Sequence, residues 1–250
     1  MRKSAGRILT LTGRNLKEMI RDPLSLIFTL GLPLLMEVLF YLLFHGMTSQ
    51  FEMKYFAPGI VVFSQAFLSL FVGMLLSTDR NTSFLTRLYI SRARSYEFIF
   101  SYALAIIPIV AAQSLLFFAV GVIFDSSILG VGVLYAILIS FVTSLLYIAL
   151  GILFGSVCNE KSVGGVASIV ISGQSLLSGM WFPTEGLGGG IMIAMQVLPF
   201  RNATLLIQNV MNGANDAFED FFLPLIIVLA YTVAAFVVAV LVFKKKMKAN

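Results

Sequence analysis

Four side chains with polar or ionisable ends sit inside long apolar stretches of this 250-residue chain: Glu37, Gln65, Gln113 and Gln174. A carboxyl or amide in hydrocarbon is costly unless another group satisfies it. Such residues therefore either line a path for a polar substrate or bond one helix to another, and both readings are open for these candidate pathway residues. Other reactive chemistry is sparse. His45 and Cys158 are the single histidine and the single cysteine, which excludes an intrachain disulfide, a multi-histidine metal site and the HExxH zinc motif. Gly155 to Ser162 reads GSVCNEKS and superficially matches the phosphate loop GxxxxGK[ST]. Glu160 stands where the second glycine belongs, and an apolar run rather than a strand precedes it, so no backbone cradle for phosphate is expected. No catalytic group, metal site or cofactor is expected in the chain. A membrane-embedded hydrolase would need a Ser/His/Asp or metal constellation that is missing here.

Two basic segments carry a different kind of signal. Between Ser77 and Phe98, the residues Phe84, Leu85, Leu88 and Tyr89 fall on one face at helical spacing, with Thr82 ahead of them and Arg87, Arg92 and Arg94 alongside. A short helix over Thr82 to Ile90 would present that apolar face to a groove on a partner protein; the alternative is a solvated basic loop. From Ala5 to Arg21, Ile8, Leu9, Leu16, Met19 and Ile20 alternate with Arg7, Arg14, Lys17 and Arg21. That pattern predicts an amphipathic helix lying on the membrane surface, either an anchor or a relay of motion. Asp22-Pro23 ends it, because the residue before a proline is pushed out of the helical region.

These groups must be positioned by elements that live in lipid. Hydrophobic residues make up 59% of the chain and charged ones 12%, against about 45–50% and about 25% in soluble domains. About 20 apolar residues are needed to cross 30 Å of hydrocarbon. Six runs qualify, at 24–44, 56–76, 99–124, 128–157, 163–182 and 221–243. The piece from Ile191 to Pro199 is too short and reads as a re-entrant or interfacial helix on the outer face. Pro33 and Pro108 lie within spans, where each can free a backbone carbonyl. Gly151 and Gly155 form a small-xxx-small pair that permits close helix approach.

Placing both termini and the second and fourth loops in the cytoplasm puts every Lys and Arg except Lys54 and Arg201 on the inner side, as the positive-inside rule requires. Net charge is +5, but no basic patch interleaved with aromatics is present, so nucleic acid is not an expected partner. No cleavable leader is expected, since residues 1–22 lack an apolar core. Asn202-Ala203-Thr204 fits a glycosylation acceptor and a helix cap equally well. The expected fold is an all-α membrane protein of one domain, 1–250: an interfacial helix at 1–23, six transmembrane helices, a short cytoplasmic segment at 79–95 and the re-entrant outer helix.

Three separated segments resemble the ABC-2 class of ABC transporter permeases, particularly the short drug-exporter-like members. GRNLKEMIRDPLSLIFTLGLP, Gly13 to Pro33, is similar to the family's interfacial helix and first span. DRNTSFLTRLYISRARS, Asp79 to Ser95, is similar to its DRxxGFLxRLLVSPxSR coupling segment, with Ser83 and Arg92 in place of glycine and proline. GMWFPTEGLGGGIMIAMQVLPFRNAT, Gly179 to Thr204, resembles its outer loop, with Gly188 in place of a proline. The resemblance implies a multidrug-efflux-like export permease of the plasma membrane, paired with a second copy or a paralogue and with two separate ABC ATPase subunits that bind the ATP and Mg. Thr82, Phe84, Leu85, Arg87, Leu88 and Tyr89 would then make the contact with the ATPase. An ion-coupled secondary transporter with Glu37 as proton carrier is the alternative, and the lack of further membrane acids and of inverted repeats counts against it.

Overall fold

The computed structural model describes residues 2–81, 95–182, 184, 187–213 and 216–249. Thr82, Phe84, Leu85, Arg87, Leu88 and Tyr89 lie outside the described residues. All regular structure among the described residues is helical: α1 (Arg2–Ile20), α2 (Pro23–Phe44), α3 (Met53–Asn81), α4 (Ser95–Phe124), α5 (Val131–Val157), α6 (Glu160–Leu177), α7 (Gly189–Val197), α8 (Pro199–Asn212) and α9 (Leu223–Ala249). The break between α1 and α2 forms as the local chemistry dictates. Asp22 is extended, and its Oδ1 accepts from the N–H groups of Leu24 and Ser25 while Pro23 opens α2.

Five helical segments are long and apolar enough to cross a bilayer: α2, α3, α4, α5 and Ala217–Val242, which holds most of α9. A sixth is reached if α7 and α8, bent by 70° at Leu198, count as one broken span. α6 spans 18 residues, a rise of about 27 Å, but it opens on Glu160, Lys161 and Ser162 and is not among the five. The piece expected at Ile191 to Pro199 is α7 and the bend after it. α8 was not expected. It is amphipathic, burying Ala203, Leu206 and Ile207, and its signal was available in Pro199 at the first helical position followed by apolar residues at three- and four-residue spacing.

α3 is the centre of the bundle. Its apolar window is 83% buried, against 17% for α2 and 22% for the last span. α3 lies against α4, α5, α6 and α8, and its crossing with α5 has room only for hydrogen at three positions. A Cβ on Gly155 would stand 2.7 Å from the Gly73 carbonyl oxygen, one on Gly151 2.9 Å from that of Ser69, and one on Gly73 3.2 Å from that of Gly151. The small-xxx-small pair thus works on α3, and Gly73 completes it from the other side.

Prolines inside the helices leave carbonyls without their usual donor four residues later. Three such carbonyls each accept a hydrogen bond from a side-chain amide on another helix. Pro33 leaves Thr29 O, which takes Gln113 Nε2 from α4 at 3.2 Å. Pro58 leaves Lys54 O, which takes Asn212 Nδ2 from α8 at 2.8 Å. Pro224 leaves Asp220 O, which takes Asn209 Nδ2 from α8 at 3.0 Å. At the far end of α3, Arg80 Nη1 reaches the carbonyls of Gly155 and Ser156 at 2.6 and 2.7 Å and so caps α5.

The α3–α5 crossing predicts a position-specific response. Gly155→Val should lower the thermal unfolding midpoint in detergent, with a destabilisation of about 1–3 kcal/mol or more because the opposing atom is backbone. Gly165→Ala on α6, where an added Cβ meets nothing within 4 Å, should be neutral or slightly stabilising. Equal effects at the two sites would refute the close-crossing account.

Candidate functional site

The α1 end of the bundle gathers charged groups around the two stems of the predicted contact segment. Asp79 ends one stem, in α3, and Glu97 opens the other, in α4; both are buried. Each is held by an arginine of α1. Arg14 makes a two-point contact with Asp79, Nη1 to Oδ2 at 2.5 Å and Nη2 to Oδ1 at 2.7 Å. Arg7 Nη2 meets Glu97 Oε1 at 2.9 Å, and the Ser4 hydroxyl donates to the same carboxylate. Arg7 and Arg14 are seven residues apart, so they leave α1 on one face about two turns from each other. Next to Arg14, Asn15 Nδ2 donates to Ser101 Oγ at 3.2 Å. The Tyr102 hydroxyl donates to Asp79 from α4, so one carboxylate ties three helices together. Burial opposes the charge on Arg14, but the hydrogen bond and charge of Asp79, with a contribution from Glu18, raise its pKa above the ordinary arginine value. The α1 helix thus bridges the stems.

The four polar residues within the spans are all buried, and the structure separates them. Gln65 has both ends engaged with α5, donating to Ser140 O at 2.9 Å and accepting from Thr143 Oγ1 at 2.8 Å. Gln174 also has both ends engaged and joins three helices, accepting from the Tyr147 hydroxyl at 2.5 Å and donating to Thr204 Oγ1 at 3.0 Å. Gln113 donates to Thr29 O, but its Oε1 has no partner. Glu37 is fully enclosed with neither carboxyl oxygen hydrogen-bonded. Its Oε1 faces α4 at Gly121, where a built Cβ would stand 3.9 Å from it and 3.3 Å from the Ala57 methyl. Gln65, Gln113 and Gln174 bridge helices, and Glu37 stands apart from them as an unpaired acid between α2, α3 and α4.

Asp79, Glu97 and Tyr102, which sequence reasoning did not single out, lie at the heart of the α1 end. The available signal was that the two acids flank an otherwise basic segment.

A family model described as an ABC-2 type transporter matches residues 6–212. No curated protein matches the chain. The matched stretch runs from α1 through α8 and includes both arginine–carboxylate bridges.

The Arg14–Asp79 bridge can be tested by a double-mutant cycle on the thermal unfolding of the purified chain. Arg14→Met and Asp79→Asn should each destabilise by about 1–3 kcal/mol, since each leaves a charged or polar partner in a buried setting. The double variant should lose clearly less than the sum. Additive losses would show that the two side chains do not act as a pair.

Proposed function

This chain belongs to the ABC-2 type transporter family, and we propose that it is the permease subunit of an ATP-driven exporter whose ATP is hydrolysed by separate partner subunits. The observation that carries this reading is the double bridge from α1 to Asp79 and Glu97. Those residues flank the stretch 82–94, in which the spacing of Phe84, Leu85, Leu88 and Tyr89 would give a helix one apolar face suited to a partner groove. A contact that must transmit force needs its two stems held in fixed relation. Arg14–Asp79 and Arg7–Glu97 supply that relation, and α1 joins the stems into one body. Movement imposed at the segment then passes into α3, the most buried span, and from α3 across the glycine crossing into α5.

Two ABC ATPase subunits, carrying ATP and Mg, would drive the cycle through this contact. A second permease copy or a paralogue would cover α2 and the last span, whose apolar side chains, including Leu35, Leu42, Val233 and Val237, are exposed in the single chain. The charge bias supports both termini in the cytoplasm of a cell whose plasma membrane the chain spans. The substrate class best suited to these short loops and apolar walls is amphiphilic or lipophilic, taken from the cytoplasm or the inner leaflet, as in multidrug efflux. Of the sequence candidates, Glu37 is the one whose polar atoms are left for a substrate or a conformational change to satisfy. The Gln113 Oε1 is the lesser candidate.

Replacing Phe84 and Leu88 together by serine removes two large apolar side chains, each worth roughly 1.5–3 kcal/mol when buried. The double variant should insert and fold, yet lose ATPase subunits on co-purification, or keep basal hydrolysis while transport fails. Assembly and transport like the parent's would overturn the coupling reading, and transport along an ion gradient without any ATPase would overturn the class. A second variant tests the acid. Glu37→Gln preserves volume and should leave the thermal midpoint within about 1 kcal/mol of the parent while changing substrate-stimulated ATP hydrolysis; unaltered stimulation assigns Glu37 a packing role only.

A further inference from the structure

Of the two basic residues on the outer side of the bundle, Lys54 has a carboxylate partner and Arg201 has none among the described residues. Lys54 Nζ pairs with Glu52 at 2.8 Å and lies over the Tyr55 ring. Arg201, partly buried in the first turn of α8, reaches among the described residues only the thioether sulfur of Met192 at 3.5 Å. Among the described residues no carboxylate lies within ion-pairing distance of it, although Glu52, Asp125, Asp216, Glu219 and Asp220 share that side. A thioether is a weak acceptor, so most of the five guanidinium donors have no strong acceptor. A partly desolvated cation without a counter-ion is an expensive arrangement, and it is relieved by an anion that comes from outside the chain.

There is a space for that anion. Arg201 lines a cavity of about 180 Å³ with Ser49 and Gln50 from the loop after α2, Ser178 from the turn after α6, and the apolar side chains of Met180 and Leu205. The turn is built to bring backbone against the guanidinium. Gly179 has φ +75°, and a Cβ there would stand 3.0 Å from Thr184 Cγ2 and 4.0 Å from Arg201 Nε. Trp181 fixes the turn to the bundle, its ring 4.6 Å from Phe40, 5.6 Å from Phe56 and 5.9 Å from Phe63. On the other wall Gln208 Nε2 donates to Tyr55 O at 2.8 Å and holds α8 against the start of α3. The cavity is thus framed by fixed elements.

Its size decides what it holds. Sites for whole small molecules occupy about 300–1,000 Å³, so 180 Å³ suits one end of a molecule. Hydroxyl and amide groups beside a guanidinium fork match the oxygens of a phosphate or carboxylate. Apolar surface continues from the site along the chain in both directions: Phe182, two residues after Met180, and Ile193 and Val197 on α7, just before Arg201, are all exposed. We propose that Arg201 and the cavity around it form an outer-face binding site for the oxyanion headgroup of an amphiphile. In that role it rests on the export reading, as the place where such a molecule is held on leaving. Its binding chemistry does not depend on the ATPase.

The test uses the full chain, without ATPase, in phosphatidylcholine nanodiscs. The chain has one tryptophan, Trp181, adjacent to the cavity, so its fluorescence and the heat of titration are read together. The probes are dihexanoyl phosphatidic acid, inorganic phosphate and dihexanoylglycerol. A saturable response to the phosphatidic acid but not to the neutral glyceride supports the proposal and identifies an amphiphile headgroup. Phosphate binding as tightly as the lipid supports the oxyanion site and assigns it to a free anion. Arg201→Gln should weaken the anion by roughly ten- to a hundredfold, and Arg201→Lys by less. Ser49→Glu, at an exposed loop position, should weaken it by supplying a competing internal carboxylate, which keeps the test valid if Arg201→Gln fails to fold. Neither heat nor fluorescence change with either anion, equal binding of the neutral glyceride, or full affinity in Ser49→Glu and Arg201→Lys together would overturn it. Failure here leaves the permease reading intact, because ATPase co-purification is measured separately.

Discussion

In hydrocarbon a backbone N–H or C=O has no water to bond, so each must be satisfied within the protein. The arrangement of this bundle follows from how it meets that demand where its helices are interrupted. Pro33, Pro58 and Pro224 would each leave a carbonyl short of its helical donor. Gln113, Asn212 and Asn209 supply a donor from a neighbouring helix. A local defect thereby becomes a tertiary bond. Asn209 and Asn212 sit on α8, so two of the three bonds fix that bent helix against the starts of α3 and the last span. Arg80 does the same for the end of α5. Each of these amides thus answers a backbone need that a proline created.

Against that pattern Glu37 is the exception. Leaving a buried polar group unpaired costs on the order of 1–3 kcal/mol, and here both oxygens of a fully enclosed carboxyl are without a partner. α4 approaches the acid at Gly121, where Ala57 of α3 also comes close. An acid held this way is set to respond if α2, α3 and α4 move apart, because separation would admit water or a substrate group. α1 is bridged to α3 through Asp79 and to α4 through Glu97, so the helices that enclose the acid with α2 are the same two that carry the stems of the segment 82–94.

Glycine sets how that element communicates. With hydrogen alone at positions 73, 151 and 155, α3 and α5 meet backbone to backbone, and contact of this kind transmits displacement with little slack. α2 and the last span, by contrast, bury little of their apolar surface within the chain, so they need lipid or a second protein. The centre is rigid and the rim is open.

The sequence by itself determined the class. Long apolar runs, the charge asymmetry and three motifs led to a helical membrane protein of the ABC-2 family, and residues 6–212 match that family. It also foretold the basic amphipathic α1, the break at Asp22-Pro23 and the Gly151/Gly155 contact, because each depends on residues near one another in the chain. What sequence could not decide was which polar groups meet. The amide of Gln113 reaching Thr29, Asn212 reaching Lys54, and the pairing of Arg14 with Asp79 all join residues at least 65 positions apart, and no spacing rule connects them. Glu37 and the three glutamines looked alike as polar residues in apolar runs; only the packing of α2, α3 and α4 left the acid alone while the amides found partners. The helix α8 was hidden for a related reason. It is too polar to read as a span and too apolar to read as a loop, and its character follows from burying one face against the bundle while the other is left open, an arrangement that tertiary structure alone assigns.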